Sequence, residues 1–237
     1  MRQKITFLIF VAFLFVVILQ KPLLTSAKVF LLISEEFEQI PIKPLHFFTQ
    51  KPKTEKISFA GFSVGSSIAL VAAENQAINE KVHSLVFFGG YFNILDYLPS
   101  LANKNIILDD KAIRWEPDRA AINHATEILE KEGLRLENFS QKSTLEIGRQ
   151  KRILRFSPHQ NIAQFKASIF ILHEKSDTFV PYFESIKLKR ALEEKVPLFY
   201  HQANLFEHVQ VKKGVSPKIL GELGGLFGFL YKVFTHL

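Results

Sequence analysis

The chain has 237 residues, with 30 Lys+Arg against 23 Asp+Glu, a net charge of +7 and a sequence pI near 9.5. Hydrophobic residues make up 47% and charged residues 22%, which excludes an intrinsically disordered chain and suits one globular domain with at most a short appendage. The lack of cysteine excludes a disulfide scaffold, a thiol nucleophile and a cysteine-ligated metal or iron–sulfur cluster.

Residues 1–38 are predicted to be a hydrophobic anchor or signal segment followed by an interfacial helix. Residues 5–19 (ITFLIFVAFLFVVIL) carry no charge and follow Arg2 and Lys4. As a helix they measure about 22 Å, short of the roughly 30 Å hydrocarbon core and at the upper end of a signal-peptide core. Thr25, Ser26 and Ala27 offer small residues to a signal peptidase. The chain nevertheless stays apolar past Pro22, through Leu23, Leu24 and residues 29–32, as a second helix at the interface would. Three readings fit: an uncleaved membrane anchor, a cleaved signal, and a helix or strand of a soluble core. The first two put the bulk of the chain outside the cytoplasm, as in a bacterial-type inner membrane or periplasm. The 24 phenylalanines fit a lipid-facing surface and biased codon usage equally.

The positive residues come in twos and threes, as in Lys187, Lys189 and Arg190, with no run of five or six and no nucleic-acid-reading motif. The basic excess therefore predicts attraction to an anionic membrane surface, and no nucleic-acid partner.

Pro41, Pro44 and Pro52 with Lys51 and Lys53 mark a linker over 39–55, and 56–237 reads as the folded domain. Residues 56–61 (KISFAG), 84–89 (SLVFFG), 168–173 (SIFILH) and 198–201 are short apolar runs, and 63–76 has helical spacing. Near-continuous apolar strands alternating with helices predict an α/β domain whose parallel sheet is covered on both faces. Residues 93–165 are longer, polar and amphipathic with no evident strand, and predict a helical insertion before the strand at 168. Residues 219–237 predict a helix packed on the sheet, or a second membrane contact.

Gly61-Phe62-Ser63-Val64-Gly65 is a Gly-x-Ser-x-Gly motif. It follows an apolar strand and opens a helix, the setting of a nucleophile elbow. The glycines leave room for a serine on a strained turn, and the Val64 N–H at the helix start can face a developing oxyanion. Asp177 follows the strand at 168–173, and His208 lies in the loop beyond the last strand. The chain order Ser63, Asp177, His208 places a nucleophile, an acid and a base at the carboxyl edge of a parallel sheet. Asp96 is a rival acid and His201 a rival base. The other histidines lack metal-ligand spacing, and no phosphate-binding glycine loop is present, so neither a metal nor a cofactor is expected.

The segments GFSVGSSIALVAA, FFGGYFNILDYL, SPHQNI, HEKSDTFVP and FEHV together resemble the α/β-hydrolase superfamily, near its dienelactone hydrolase-like and serine esterase/peptidase members. The resemblance runs over about residues 56–213. It implies Ser63 as nucleophile, His208 as general base, Asp177 as its partner and a structural role for His173, with Glu174 where the family usually has glycine. It also implies a small-molecule acyl substrate and, because few residues precede the elbow, a truncated hydrolase fold of four parallel strands. The elbow strand would then be an edge, coverable by residues 23–39 or by a second subunit. The roughly 35 residues between the hydrophobic segment and the elbow strand contain no His-Gly or Gly-Gly pair to mark an oxyanion loop, leaving Val64 as the one assured donor. Two functions follow: a serine hydrolase of esters, thioesters or amides, most simply a carboxylic ester hydrolase, or a catalytically weak or inactive membrane-associated relic of one. The oligomeric state is open.

Overall fold

The structure, a computed structural model, describes residues 29–32, 56–109, 111–140, 152–204, 206–207, 210–211 and 217–236, with 29–32, 206–207, 210–211 and 217–220 described by backbone alone. The segment 5–19 and the linker 39–55 lie outside the described residues. Among the described residues no helix is long and apolar enough to cross a membrane.

Strand β1 (Val29–Leu32) is followed by β2 (Ile57–Phe62), helix α1 (Val64–Ala73) and β3 (Val82–Phe88). Helix α2 (Ile94–Asn103), strands β4 (Asn105–Leu108) and β5 (Lys111–Arg114) and helix α3 (Arg119–Lys131) then lead to β6 (Ser168–Glu174). Helix α4 (Phe183–Leu192), β7 (Leu198–Ala203), the short β8 (Phe206–Glu207) and β9 (Gln210–Val211), and helix α5 (Pro217–His236) complete the order. The main sheet runs β1-β2-β3-β6-β7 and every pair in it is parallel.

Alternation along each strand sends side chains to two different cores. On one face Phe59, Leu85, Phe87, Ile169 and Ile171 pack with α1 and α4. On the other, Val86, Phe88, Phe170, Leu172 and Phe199 meet Leu226, Phe229 and Val233 of α5. Helices on both faces bury the sheet, which is why its strands read as continuous apolar runs.

Two expectations are corrected. Among the described residues the sheet has five strands, not four, and the elbow strand is interior. Val29 pairs with Ser58 and Leu32 with Gly61, so over these four residues the apolar continuation is a strand and not an interfacial helix. The insertion also contains strands: β4 and β5 form an antiparallel hairpin in which Ile106 opposes Ile113. Its turn carries Asp109 at φ 49, a left-handed conformation that aspartate tolerates better than most residues. All four residues of β5 are exposed, so the hairpin lacks the buried alternation that marks a strand in sequence. The other described elements of the insertion are helices, and their core lies at the carboxyl edge of the sheet, where Tyr97, Leu101, Trp115 and Leu129 pack with Val180 and Phe183.

Candidate active site

Strand β2 ends at Phe62 and α1 begins at Val64, so Ser63 alone makes the turn, at φ 50 and ψ −135. A non-glycine residue holds such a conformation at a cost of about 1–3 kcal/mol, and only where its surroundings impose it. Here they do. The Ser63 amide donates to the Phe88 carbonyl at 2.7 Å, the Ser66 amide donates to the Ser63 carbonyl at 2.9 Å, and the Ser66 hydroxyl donates to Phe88 O at 2.7 Å. The Ser67 hydroxyl ties α1 to the Tyr91 carbonyl at 2.7 Å. Gly61 is required by close approach, since a Cβ there would lie 2.5 Å from the Ser66 Cα.

Ser63 is partly exposed, and its side chain makes no capping hydrogen bond to α1. It therefore does not serve as an ordinary helix cap. Val64 is the first residue of α1, where backbone N–H groups lack intrahelical acceptors and the helix field favours negative charge.

Strand β6 ends at Glu174, and the chain turns through Lys175 and Ser176 to Asp177. The Asp177 Oδ1 accepts the amides of Phe179 at 2.7 Å and Val180 at 3.1 Å. Its Oδ2 lies on the side of Gly89, which at φ +66 follows β3 and whose missing Cβ would sit 3.4 Å from that oxygen. Because β2, β3 and β6 are parallel neighbours, Ser63, Gly89 and Asp177 stand along one carboxyl edge, with β3 between nucleophile and acid candidates.

His208 lies outside the described residues. The strands that flank it in sequence, β8 and β9, pair antiparallel with Glu207 opposite Gln210. Register puts the carboxyl end of β1 level with Gly61, on the edge that carries Ser63.

The rival residues have other partners. Asp96, on α2, accepts the Lys187 ammonium at 3.0 Å and the Asn93 side-chain amide at 3.1 Å. His201 stands within β7 opposite Leu172 and packs against α5, where a Cβ on Gly225 would meet its ring at 2.7 Å. Burial lowers its pKa, against the pull of Glu222 and Glu174. His173 is fully buried and its Nε2 lies 3.0 Å from the Val180 carbonyl and 3.4 Å from Asp177 Oδ2, so the ring braces the acid loop from inside. Glu174, in the family's glycine position, is buried and accepts the Ser176 hydroxyl at 3.3 Å.

Sequence reasoning missed Glu184. It is fully buried in the first turn of α4, and its Oε2 accepts the amides of Phe92 at 3.0 Å and Asn93 at 2.8 Å. Lys187 donates to its other oxygen at 2.8 Å. This carboxylate anchors the segment that leaves β3 beside the elbow. No motif announces it, because a glutamate in a first helical turn ordinarily faces water. Among the described residues no three His, Asp or Glu side chains gather as metal ligands.

The sheet order and the strand–turn–helix at Ser63 are those of an α/β-hydrolase fold, with a single strand before the elbow strand among the described residues. No family model matches the chain, and no curated protein matches it in sequence. Among solved structures it is similar to the acylaminoacyl peptidase of Pyrococcus horikoshii (15% identity, TM-score 0.43), covering 76% of this chain and 23% of that one. It is similar to an esterase of Pyrococcus furiosus at 13% identity and TM-score 0.39, over 76% of this chain and 54% of that one. An alpha/beta fold family hydrolase from Bacillus anthracis aligns at 17% identity and TM-score 0.38, over 76% and 67% of the two chains. The chain thus spans under a quarter of the peptidase. The fold rests on its own sheet order and elbow, not on these superpositions.

Proposed function

We propose that this chain, built on an α/β-hydrolase fold, is a serine hydrolase that cleaves an ester, thioester or amide through an acyl-enzyme on Ser63. A carboxylic ester is the simplest substrate. The observation that carries the reading is Ser63 itself: a partly exposed serine at φ 50 between a buried strand and a helix N-terminus, with its hydroxyl unused as a cap.

In this reading the Ser63 Oγ attacks the acyl carbon while the His208 imidazole takes the hydroxyl proton. The Val64 N–H donates to the resulting oxyanion, helped by the α1 dipole. Collapse of the tetrahedral species breaks the bond to the alcohol, thiol or amine, which leaves with the proton from His208. Water then attacks the acyl ester, gives its proton to His208, and the carboxylic acid departs as Ser63 regains its hydrogen. Asp177 keeps the imidazole in the required tautomer and supports its positive charge; with Oδ1 bonded by two amides, Oδ2 is the oxygen assigned to His208.

A fluorophosphonate probe tests the assignment. The folded full chain should be labelled on Ser63, with labelling lost in Ser63→Ala and His208→Ala. No labelling of the folded protein would favour the inactive relic.

Attachment to a membrane through residues 5–19, with the hydrolase body on the extracytoplasmic side, belongs to the same proposal. It is supported by the uncharged apolar run behind Arg2 and Lys4. Fractionation of cells tests it: the full chain should resist alkaline carbonate extraction and a chain lacking residues 1–22 should not.

A further inference from the structure

The loop that bears Asp177 offers three consecutive carbonyls, and the insertion bonds every one of them. The Trp115 indole Nε1 donates to Asp177 O at 3.0 Å, the Asp118 amide to Thr178 O at 2.9 Å, and the Tyr97 hydroxyl to Phe179 O at 3.0 Å. Trp115 and Tyr97 are 9% and 6% exposed, so their donors gain nothing by turning to water.

Peptide planarity gives these bonds a consequence. The Thr178 carbonyl and the Phe179 amide are two ends of one rigid plane, as are the Phe179 carbonyl and the Val180 amide. Those two amides are the donors to Asp177 Oδ1. Whatever aims the carbonyls outward to Asp118 and Tyr97 therefore aims the N–H groups inward at the carboxylate. Val180 and Phe183, just beyond, are packed in the same core as Tyr97 and Trp115, so the planes cannot swing as a block.

We propose that the insertion is the template for the acid: Trp115 and Tyr97 are positioning residues that orient Asp177 by holding the peptide planes of its own loop. The role rests on the reading of Asp177 as the acid. The insertion then does more than cover the edge of the sheet. It is the part of the chain on which the acid is aligned, and a change in it reaches the reaction without touching substrate.

The test uses the full chain and the variants Trp115→Phe and Tyr97→Phe, each of which removes a single donor and keeps a ring. Two readouts are taken. Hydrogen exchange at the Val180 amide should rise at least about ten-fold in Tyr97→Phe and in the double variant, because the carbonyl at the other end of its plane is released. In turnover of p-nitrophenyl butyrate the plateau of kcat/KM should fall about ten-fold or more, as misplacement of a catalytic group does. Its acidic limb should also move to lower pH, because an imidazolium less supported by the carboxylate loses its proton more easily. A substitution that only loosened packing would lower the plateau without moving the limb. Unchanged exchange at the Val180 amide in Tyr97→Phe overturns the proposal whatever the activity. Faster exchange with an unmoved limb overturns the positioning role. Faster exchange in a chain whose wild type never labels on Ser63 leaves the clamp standing as architecture and overturns the hydrolase reading instead.

Discussion

The Ser63 amide and the Phe88 carbonyl are 2.7 Å apart, so the strained residue of the elbow is held by the neighbouring strand as well as by the helix it opens. The same carbonyl takes the Ser66 hydroxyl. One acceptor at the end of β3 thus fixes both the turn and the first turn of α1.

That strain is measurable. At φ 50 and ψ −135 glycine fits better than any residue with a Cβ. Ser63→Gly should be more stable to urea than Ser63→Ala by about 1 kcal/mol, with labelling lost in both. Equal stability of the two variants would mean that the backbone at 63 is not strained.

Two carboxylates near the elbow should behave oppositely. Asp177→Asn keeps the loop's shape but offers the base the wrong partner, and kcat should fall on the order of 10³–10⁴-fold with little change in stability. Asp96→Asn removes one of the two carboxylates on Lys187, which burial disfavours but which Glu184 and Asp96 together hold above its ordinary pKa. It should cost about 1 kcal/mol in unfolding and leave turnover within a few-fold. Loss of turnover in Asp96→Asn with retention in Asp177→Asn would reverse the assignment.

The two histidines should separate in the same way. His201 sits in β7 against Gly225, and burial depresses its pKa more than Glu222 and Glu174 raise it. His201→Phe should therefore keep fluorophosphonate labelling within about ten-fold, while His208→Ala loses it. The labelling rates of the two variants at pH 8 decide between them.

The legibility of the molecule in its sequence was uneven, for physical reasons. The elbow is readable because a buried parallel strand must be apolar throughout and the turn after it must be Gly-x-Ser-x-Gly to close. Asp177 is readable because the apolar run before it ends where the strand leaves the core. Strand β1 is not, because four apolar residues inside a longer apolar stretch have the same pattern in a helix and in a strand; only pairing with Ser58–Gly61 decides it. The hairpin is hidden because all four residues of β5 are exposed and carry no buried alternation. The Trp115–Asp177 and Tyr97–Phe179 bonds are hidden by distance, since residues 62 and 82 positions apart meet only once the insertion has folded.

Glu74 supplies a pH dependence that owes nothing to catalysis. It follows α1, is almost fully buried, and neither carboxylate oxygen has a hydrogen-bond partner among the described residues. Burial pushes its pKa up to about 9 from an ordinary 4.5. The folded chain then holds a proton that the unfolded chain gives up near 4.5. Between these values the unfolded state binds fewer protons, so stability falls as pH rises. The contribution is fully present below 4.5 and lost as pH climbs through about 9. One such proton corresponds to a slope of about 1.4 kcal/mol per pH unit inside that window. Urea unfolding at pH 6, 7 and 8 should show wild type losing stability relative to Glu74→Gln by about that slope, because the amide has no proton to lose. Parallel curves for the two chains would mean that the Glu74 carboxyl is ionised and partnered in the folded protein.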